Sequence, residues 1–367
     1  MTVEPVSPAT PTAAQALAQV RAAMPAILTS GTDRVAAGTL PFIGWGSSLT
    51  RVQCLDPEHH AKPWFFIGDL HGDFLAWHLL FERVRATEDF RLCFVGDLVD
   101  RGPFSIECFA ALLQAAAEYP DRILWITGNH DEGVTWNTDS QTVSSDTSPS
   151  EFVDWLNDDS DASTGQVRMA WARLFTDVVR GLPRAMLFDD GLLATHGGFP
   201  LQDLWPSLTE RSQLESWRAS KDFTWGRWKP NLPRNAIWMM ADERATSASR
   251  SGFGYKDFTD FCTAMTTMFP VQRMVRGHDH IEAGWDAPPK YATHPVLTLT
   301  ASGFLNAFGM TYSTEASSYR ESLALGIGCA GALPGVELIA VPASDCSALY
   351  GQLLSAFSVD TPHPSAQ

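Results

Sequence analysis

The chain has 367 residues, 45% of them apolar, and a formal net charge of −16. That length carries one large domain or two smaller ones with a real core, and no apolar run reaches the roughly 18 residues needed to cross a membrane. The acidity argues against a protein that holds nucleic acid by neutralising its phosphates, but small phosphorylated substrates need only a local positive site, which metal ions can supply.

Met1 to Glu4 lack a basic start, and Ala13 to Leu28 is interrupted by Gln15, Gln19 and Arg21, so no secretory signal is expected. Residues 1–40, rich in Ala, Pro, Thr and Ser, read as a mobile arm with a short helix at Ala13 to Ala23. Residues 41–355 read as a single domain and 356–367 as a flexible tail. Cys54, Cys93, Cys108, Cys262, Cys329 and Cys346 are scattered without a Cys-x-x-Cys pair. Neither a disulfide framework nor a zinc ribbon is expected, and a cytoplasmic location fits best.

From Trp64 the pattern sharpens. WFFIGD, RLCFVGD and RILWITGN read as buried strands, separated by FLAWHLLFERVRA and SIECFAALLQAAAEY with apolar residues at helical spacing. This is a βαβαβ unit with a parallel sheet. Each strand runs into a Gly-Asp or Gly-Asn step, and ligands of open α/β sheets bind beyond the carboxyl ends of the strands. Residues 132–165 break the pattern with an acidic, polar stretch too long for an ordinary connection, a solvated insertion or a lid beside the site. A lid that repels acidic peptides predicts that deleting residues 139–161 raises activity on them. A helix follows over Val167 to Arg180, then RAMLFDD and GLLATHGG as a hairpin. VLTLTAS, FGMTYST, SLALGIGC and VELIAVP read as successive antiparallel strands. Five tryptophans between Trp205 and Trp238 suit packing around an irregular segment better than an aromatic ligand groove.

Five short clusters place His, Asp or Asn beside glycine: GDLHGD at 68–73, GDLVDRG at 96–102, GNHD at 128–131, THGG at 195–198 and RGHDH at 276–280. Glycine lets the backbone turn sharply so that neighbouring side chains converge. Carboxylate, imidazole and amide oxygen are ligands for hard and borderline divalent metals, and cysteine is absent from all five. Taken singly each is weak, since His-Gly is commonly a turn and an Asp after a strand a helix cap. Five in order, three on consecutive strands, are not explained as unrelated turns. Asp73 fits a helix N-cap. His59, His60, His78, His294 and His363 lie outside the clusters and read as structural or exposed.

The order GDLHG, GDLVDRG, GNHD, HGG and RGH closely resembles the phosphoprotein phosphatases of the calcineurin-like metallophosphoesterase superfamily, over about Trp64 to Phe308. The resemblance implies a mixed α/β fold of four layers, a central β-sandwich flanked by helices. It also implies two divalent metal ions, manganese first with iron or zinc as alternatives. Asp69 and His71 would bind the first metal, Asp97 would bridge, and Asn129, His196 and His278 would bind the second. The implied chemistry is hydrolysis of phosphomonoesters by direct attack of a metal-bridging hydroxide. His130 would protonate the leaving oxygen, Asp100 would hold its imidazole, and Arg101 would bind phosphate. For a second phosphate-binding arginine, SRSGFG resembles the family's arginine-glycine stretch and selects Arg250, with Arg227, Arg234 and Arg244 as competitors.

Three departures matter. Asp131 stands where the protein phosphatases usually carry glutamate. His280 supplies the second histidine of a GHxH that the wider superfamily uses on the first metal, so it is either a ligand or a polar wall. TASGFLNAFG replaces the usual Ser-Ala-Pro-Asn-Tyr loop, leaving Asn306 to stand in for its asparagine and no tyrosine to line the groove. The expected substrate is thus a phosphoprotein, phosphoserine or phosphothreonine before phosphotyrosine, with no nucleic-acid or membrane partner. Small phosphoesters such as diadenosine polyphosphates are the rival substrate, and a degenerate phosphate-binding module is the rival class. Oligomeric state is not legible.

Overall fold

The computed structural model describes residues 11–46, 52–55, 62–158, 162–200, 221–231, 252–265, 270–304, 319–328 and 331–357. The strands in chain order are β1 (Val52–Leu55), β2 (Trp64–Ile67), β3 (Arg91–Phe94), β4 (Ile123–Trp125), β5 (Val134–Asn137), β6 (Thr142–Ser145), β7 (Ala185–Phe188), β8 (Leu192–Thr195), β9 (Arg227–Trp228), β10 (Gly252–Phe253), β11 (Arg273–Arg276), β12 (Trp285–Asp286), β13 (Val296–Leu299), β14 (Ser322–Gly328) and β15 (Gly335–Ala340). The first six helices are α1 (Ala13–Ala37), α2 (Phe74–Arg85), α3 (Ser105–Glu118), α4 (Asn129–Gly133), α5 (Glu151–Asn157) and α6 (Ala162–Arg180).

Two sheets face each other. One runs β15-β14-β2-β3-β4 and the other β1-β7-β8-β11-β13-β12. β2, β3 and β4 are parallel, with Phe65 opposite Leu92 and Leu92 opposite Ile123, joined by α2 and α3 as the periodicity requires. Successive strand residues point to opposite faces, and both faces are covered. Phe65, Ile67, Leu92, Phe94, Ile123 and Trp125 join the core under the helices. Trp64, Phe66, Cys93, Val95, Leu124 and Ile126 point into the gap between sheets, where they meet Met186, Phe188, Ala194, Val275, Leu297 and Leu299. The outer face of the second sheet buries Leu187, Leu193 and Met274 against Phe258 and Phe261 of the helix Tyr255–Met265. The result is the four-layer sandwich expected from the resemblance.

Three sequence expectations need correction. Residues 13–37 are not a mobile arm: α1 is one helix, opened by a Thr12 and Gln15 capping box and closed by Gly38 at φ 67°. Leu17 and Val20 are buried in the core under the helices, and the half-exposed Arg21 pairs with the buried Glu107 of α3 at 2.7 Å. Secondly, the acidic stretch, read as a solvated insertion or a lid, is not solvated throughout. β5 and β6 form a hairpin, with Val134 opposite Ser145, and Val134, Val143, Phe152, Val153 and Leu156 belong to the same core. Thirdly, β13 does not continue into an antiparallel series with β14 and β15. It lies in the other sheet, parallel to β11, while β14 pairs antiparallel with both β2 and β15. FGMTYST and the tail from 358 fall outside the described residues.

Asp73 is the N-cap of α2, accepting from Ala76 N at 3.1 Å. It is fully buried, and burial raises its pKa. The charge is satisfied by donors from distant chain: Gly303 N at 2.8 Å, Tyr319 Oη at 2.9 Å and Tyr350 Oη at 2.6 Å. Tyr350 lies on the C-terminal helix Ala343–Phe357, so this carboxylate ties the end of the chain to the loop carrying Asp69 and His71. Tyr350→Phe should lower stability by about 1–3 kcal/mol, the cost of leaving a buried charged acceptor short of a donor. An unchanged urea midpoint would contradict this.

Candidate metal centre and active site

The five clusters follow the carboxyl ends of five strands: β2, β3 and β4 in one sheet, β8 and β11 in the other. The two sheets thus deliver all five loops to one edge of the sandwich. Glycine permits the approach. A side chain at Gly128 would strike the Asp97 carboxylate and backbone nitrogen, and one at Gly277 would strike the Asp69 carboxylate. Non-glycine residues carry the remaining strain. His71, Asp97, Asp100, Arg101 and His278 have φ of 46°, 56°, 67°, 66° and 66°, a left-handed region that ordinary side chains rarely enter. Such clustering of strained backbone marks functional sites.

Asp69, His71, Asp97, Asn129, His130, His196 and His278 are all buried. Three groups place one ligand atom from each member within 4.8 Å of the others: Asp69 with His71 and His280, His71 with Asp97 and His130, and Asp97 with His196 and His278. Asn129 joins the last, its Oδ1 3.0 Å from His196 Nε2. Asp97 stands in the middle, with Oδ2 3.4 Å from His71 Nε2 and 3.2 Å from His196 Nε2. His280 Nε2 lies 3.9 Å from Asp69 Oδ2, which puts the second histidine of RGHDH on the Asp69 side.

The imidazoles are oriented from behind. His71 Nδ1 donates to Val99 O at 2.8 Å and His196 Nδ1 to Val95 O at 2.9 Å, so each turns Nε2 toward the carboxylates, the arrangement that fixes a metal-binding tautomer. Among the described residues, the buried Nε2 atoms of His71 and His278 have no hydrogen-bond partner. A buried polar atom without a partner is costly. Two such atoms, converging with carboxylates, fit a divalent cation.

The electrostatics agree. Burial, with Asp97 nearby, pushes Asp69 up to about 7 against the pull of His196. Burial disfavours the charged imidazole of His196, yet Asp97, Asp69 and Asp131 outweigh it and hold its pKa at about 9. Burial likewise opposes the Asp97 carboxylate, but His196, His130 and His71 keep it well below its usual range. Burial drives His71 and His278 well below the normal histidine value, and burial with Arg101 takes His280 to about 3. Those three are neutral at pH 7, the form that can ligate a metal.

Beside this group His130 Nδ1 donates to Asp100 Oδ2 at 2.6 Å. A cavity of about 210 Å³ opens here, lined by Asp97, Arg101, Asn129, His130, Trp225, Arg227, His278 and His280 among others. Arg227 is tethered by Asp279 Oδ1 at 3.2 Å. Arg250, Arg234, Arg244 and Asn306 lie outside the described residues. Of the arginines weighed for the second phosphate contact, Arg227 is the described one.

The supporting roles of Asp131 and Asp279 carry no sequence signature of their own. Asp131 accepts from Asp97 N at 3.0 Å, Leu98 N at 2.8 Å and Gly128 N at 3.0 Å, pinning the Asp97 loop to the Asn129 loop. Its position beside GNH points to the site but not to this role, since two of the three amides it binds, those of Asp97 and Leu98, lie more than thirty residues away. Asp279, inside RGHDH, accepts from Trp228 N at 2.7 Å and Arg276 Nη1 at 2.6 Å as well as Arg227.

A calcineurin-like phosphoesterase family model matches residues 63–282, well over half of the chain. The protein belongs to the calcineurin-like phosphoesterases, a membership that implies divalent metal ions and that the donor set fits. It is 44% identical over 73 residues to a serine/threonine-protein phosphatase 4 catalytic subunit of Eremothecium gossypii, a stretch covering 20% of this chain and 24% of that protein. It is 47% identical over 64 residues to the Saccharomyces cerevisiae protein of the same name, covering 17% and 21%. The matched stretches thus span about a quarter or less of those relatives. A Saccharomyces cerevisiae protein serine/threonine phosphatase with similarity to human phosphatase PP5 shares the fold at a TM-score of 0.55 and 16% identity, over 86% of this chain and 89% of that one. No helix among the described residues is long and apolar enough to cross a membrane.

Ligation requires Asp69 and His196 to give up protons. Metal loading of the stripped chain should release the protons held by Asp69 and His196, so that proton release falls as pH rises through about 7 and again through about 9, down to the share of metal-activated water. Calorimetry in two buffers of different ionisation enthalpy reads this directly, and proton release independent of pH would contradict it.

Proposed function

We propose that this protein is a metal-dependent phosphoprotein phosphatase that hydrolyses phosphomonoesters, with phosphoserine and phosphothreonine preferred. The observation that carries this reading is the His130–Asp100 pair, 2.6 Å apart, set at the same cavity as Arg101, Arg227 and the three ligand groups. Asp69, His71, Asp97 and His280 would hold one divalent ion and Asp97, Asn129, His196 and His278 a second, with manganese suited to this nitrogen and oxygen set and iron or zinc also suited. When bound, such a pair supplies Lewis-acid polarisation of the phosphoryl oxygens and water activation at neutral pH.

The chain's own residues do the rest. Arg101 and Arg227 bind the phosphate oxygens through their planar guanidinium forks and orient the ester. Asp100 fixes the proton of His130 on Nδ1 and stabilises the imidazolium, so that Nε2 can deliver a proton to the leaving alkoxide oxygen. A serine or threonine alkoxide is a poor leaving group and needs that proton. Trp225 supplies an aromatic part of the cavity wall. The free thiols of Cys93, Cys108, Cys262 and Cys346 support a reducing, cytoplasmic setting.

His130→Ala should retain bound metal and lose roughly 10²–10⁴-fold in turnover of phosphoserine peptides, the usual contribution of a general acid, but far less with p-nitrophenyl phosphate. Arg227→Ala should weaken competitive inhibition by inorganic phosphate. Equal losses on good and poor leaving groups would remove the acid role, and turnover of dinucleotide polyphosphates but not phosphopeptides would replace the substrate class.

A further inference from the structure

Asp100 has two carboxylate oxygens, and both are committed. Oδ2 holds His130, while Oδ1 accepts from Phe152 N at 3.0 Å. Phe152 sits in the first turn of α5, whose leading amides have no partner within the helix. The N-cap residue Ser150 makes no side-chain capping bond. Asp100, fully buried and fifty-two residues earlier in the chain, therefore caps α5 in its place, a favourable position for a carboxylate at a helix N-terminus. One residue before Phe152, Glu151 Oε2 accepts from Arg101 N at 3.1 Å. The two residues gripped by α5, Asp100 and Arg101, are adjacent and both left-handed, at φ 67° and 66°. Phe152 itself is buried in the core, stacked edge-on against Phe175 at 5.1 Å, so the grip is anchored to rigid packing.

We propose that the start of α5 is a clamp for the reaction, resting on the phosphatase reading above, with Glu151 a positioning residue that acts through Arg101 and the Phe152 amide a positioning group that acts through Asp100. The clamp holds a strained dipeptide so that the carboxylate faces His130 while the guanidinium faces the cavity. A left-handed arginine relaxes readily once its amide loses its acceptor, and the relaxation moves the phosphate contact and the histidine tether together. The acidic segment is thus part of the machinery rather than a cover over it. Deleting residues 139–161, which a lid would predict to raise turnover of acidic phosphopeptides, removes Glu151 and Phe152 and abolishes turnover instead.

The test compares the metal-loaded full chain with Glu151→Ala, Glu151→Gln and a control replacing hairpin-tip residues 138–141 by two glycines. Amide hydrogen exchange at Arg101 and Phe152 is read beside kinetics on phenyl phosphate and p-nitrophenyl phosphate. In Glu151→Ala, Arg101 exchange should speed up, inhibition by inorganic phosphate should weaken roughly ten-fold, and kcat on phenyl phosphate should fall more than on p-nitrophenyl phosphate, as expected for loss of one well-placed hydrogen bond. Glutamine keeps an acceptor oxygen and should restore all three, and the hairpin-tip variant should match the parent. Glu151→Ala with parental kinetics overturns the clamp whatever exchange shows. A parent chain without turnover on any phosphoester defeats the functional reading instead. Exchange then decides alone: protection at both amides, lost at Arg101 in Glu151→Ala, keeps the clamp, and rapid exchange in the parent removes it.

Discussion

The burial of Asp69 and Asp97 among imidazoles, at the edge where two sheets meet, is the constraint on which the rest of this molecule depends. A carboxylate taken from water without compensation costs several kcal/mol or takes up a proton, and Asp69 shows the second response, its pKa pushed up to about 7. His196 shows the complementary one, held at about 9 by the surrounding carboxylates. Sharing protons in this way is a makeshift. His71 and His278 still present buried Nε2 atoms that find no hydrogen-bond partner among the described residues. A pair of divalent cations would answer both problems at once, one taking the His71 nitrogen and the other that of His278, both replacing the protons as counter-charge.

The fold serves that constraint. Five loops must reach one point from five strands, and the sandwich brings the carboxyl ends of β2, β3 and β4 beside those of β8 and β11. Dense packing between the sheets, through Phe66, Phe188, Val275 and Leu299, fixes the distance between the two sets. Asp131 then stitches the Asp97 and Asn129 loops through three amides, and the Arg276 guanidinium joins Gly197 O, Gly226 O and Asp279. Five left-handed residues remain where they are because this surrounding network over-determines them.

Much of this was legible in the sequence, for a physical reason. Buried parallel strands must be apolar throughout, and a charge directly after such a strand has to be satisfied, so WFFIGD, RLCFVGD and GNHD announce both the sheet and the site. The clamp on Asp100 was not legible, because its principal donor is the backbone N–H of Phe152, which carries no side-chain signature. Helix α1 was misread since alanine dominates it and the residues before it are rich in proline and threonine, and only a few positions such as Leu17 and Val20 are buried in the core. The acidic stretch was misread in the same way: Asp139, Asp146, Glu151, Asp154 and Asp158 face solvent, while Val143, Phe152 and Leu156, spaced by a turn and a short helix, are buried. β13 looked continuous with β14 and β15 because strand pairing partners cannot be read from local alternation.

The most direct test of the central claim is to strip the protein with a chelator, confirm that it stays folded, and return manganese while counting bound metal and following p-nitrophenyl phosphate. The account predicts about two ions per chain at saturation, with hydrolysis rising in step with the second, and neither in Asp97→Ala. A folded chain that binds no metal, or that hydrolyses the ester equally well without it, would contradict it.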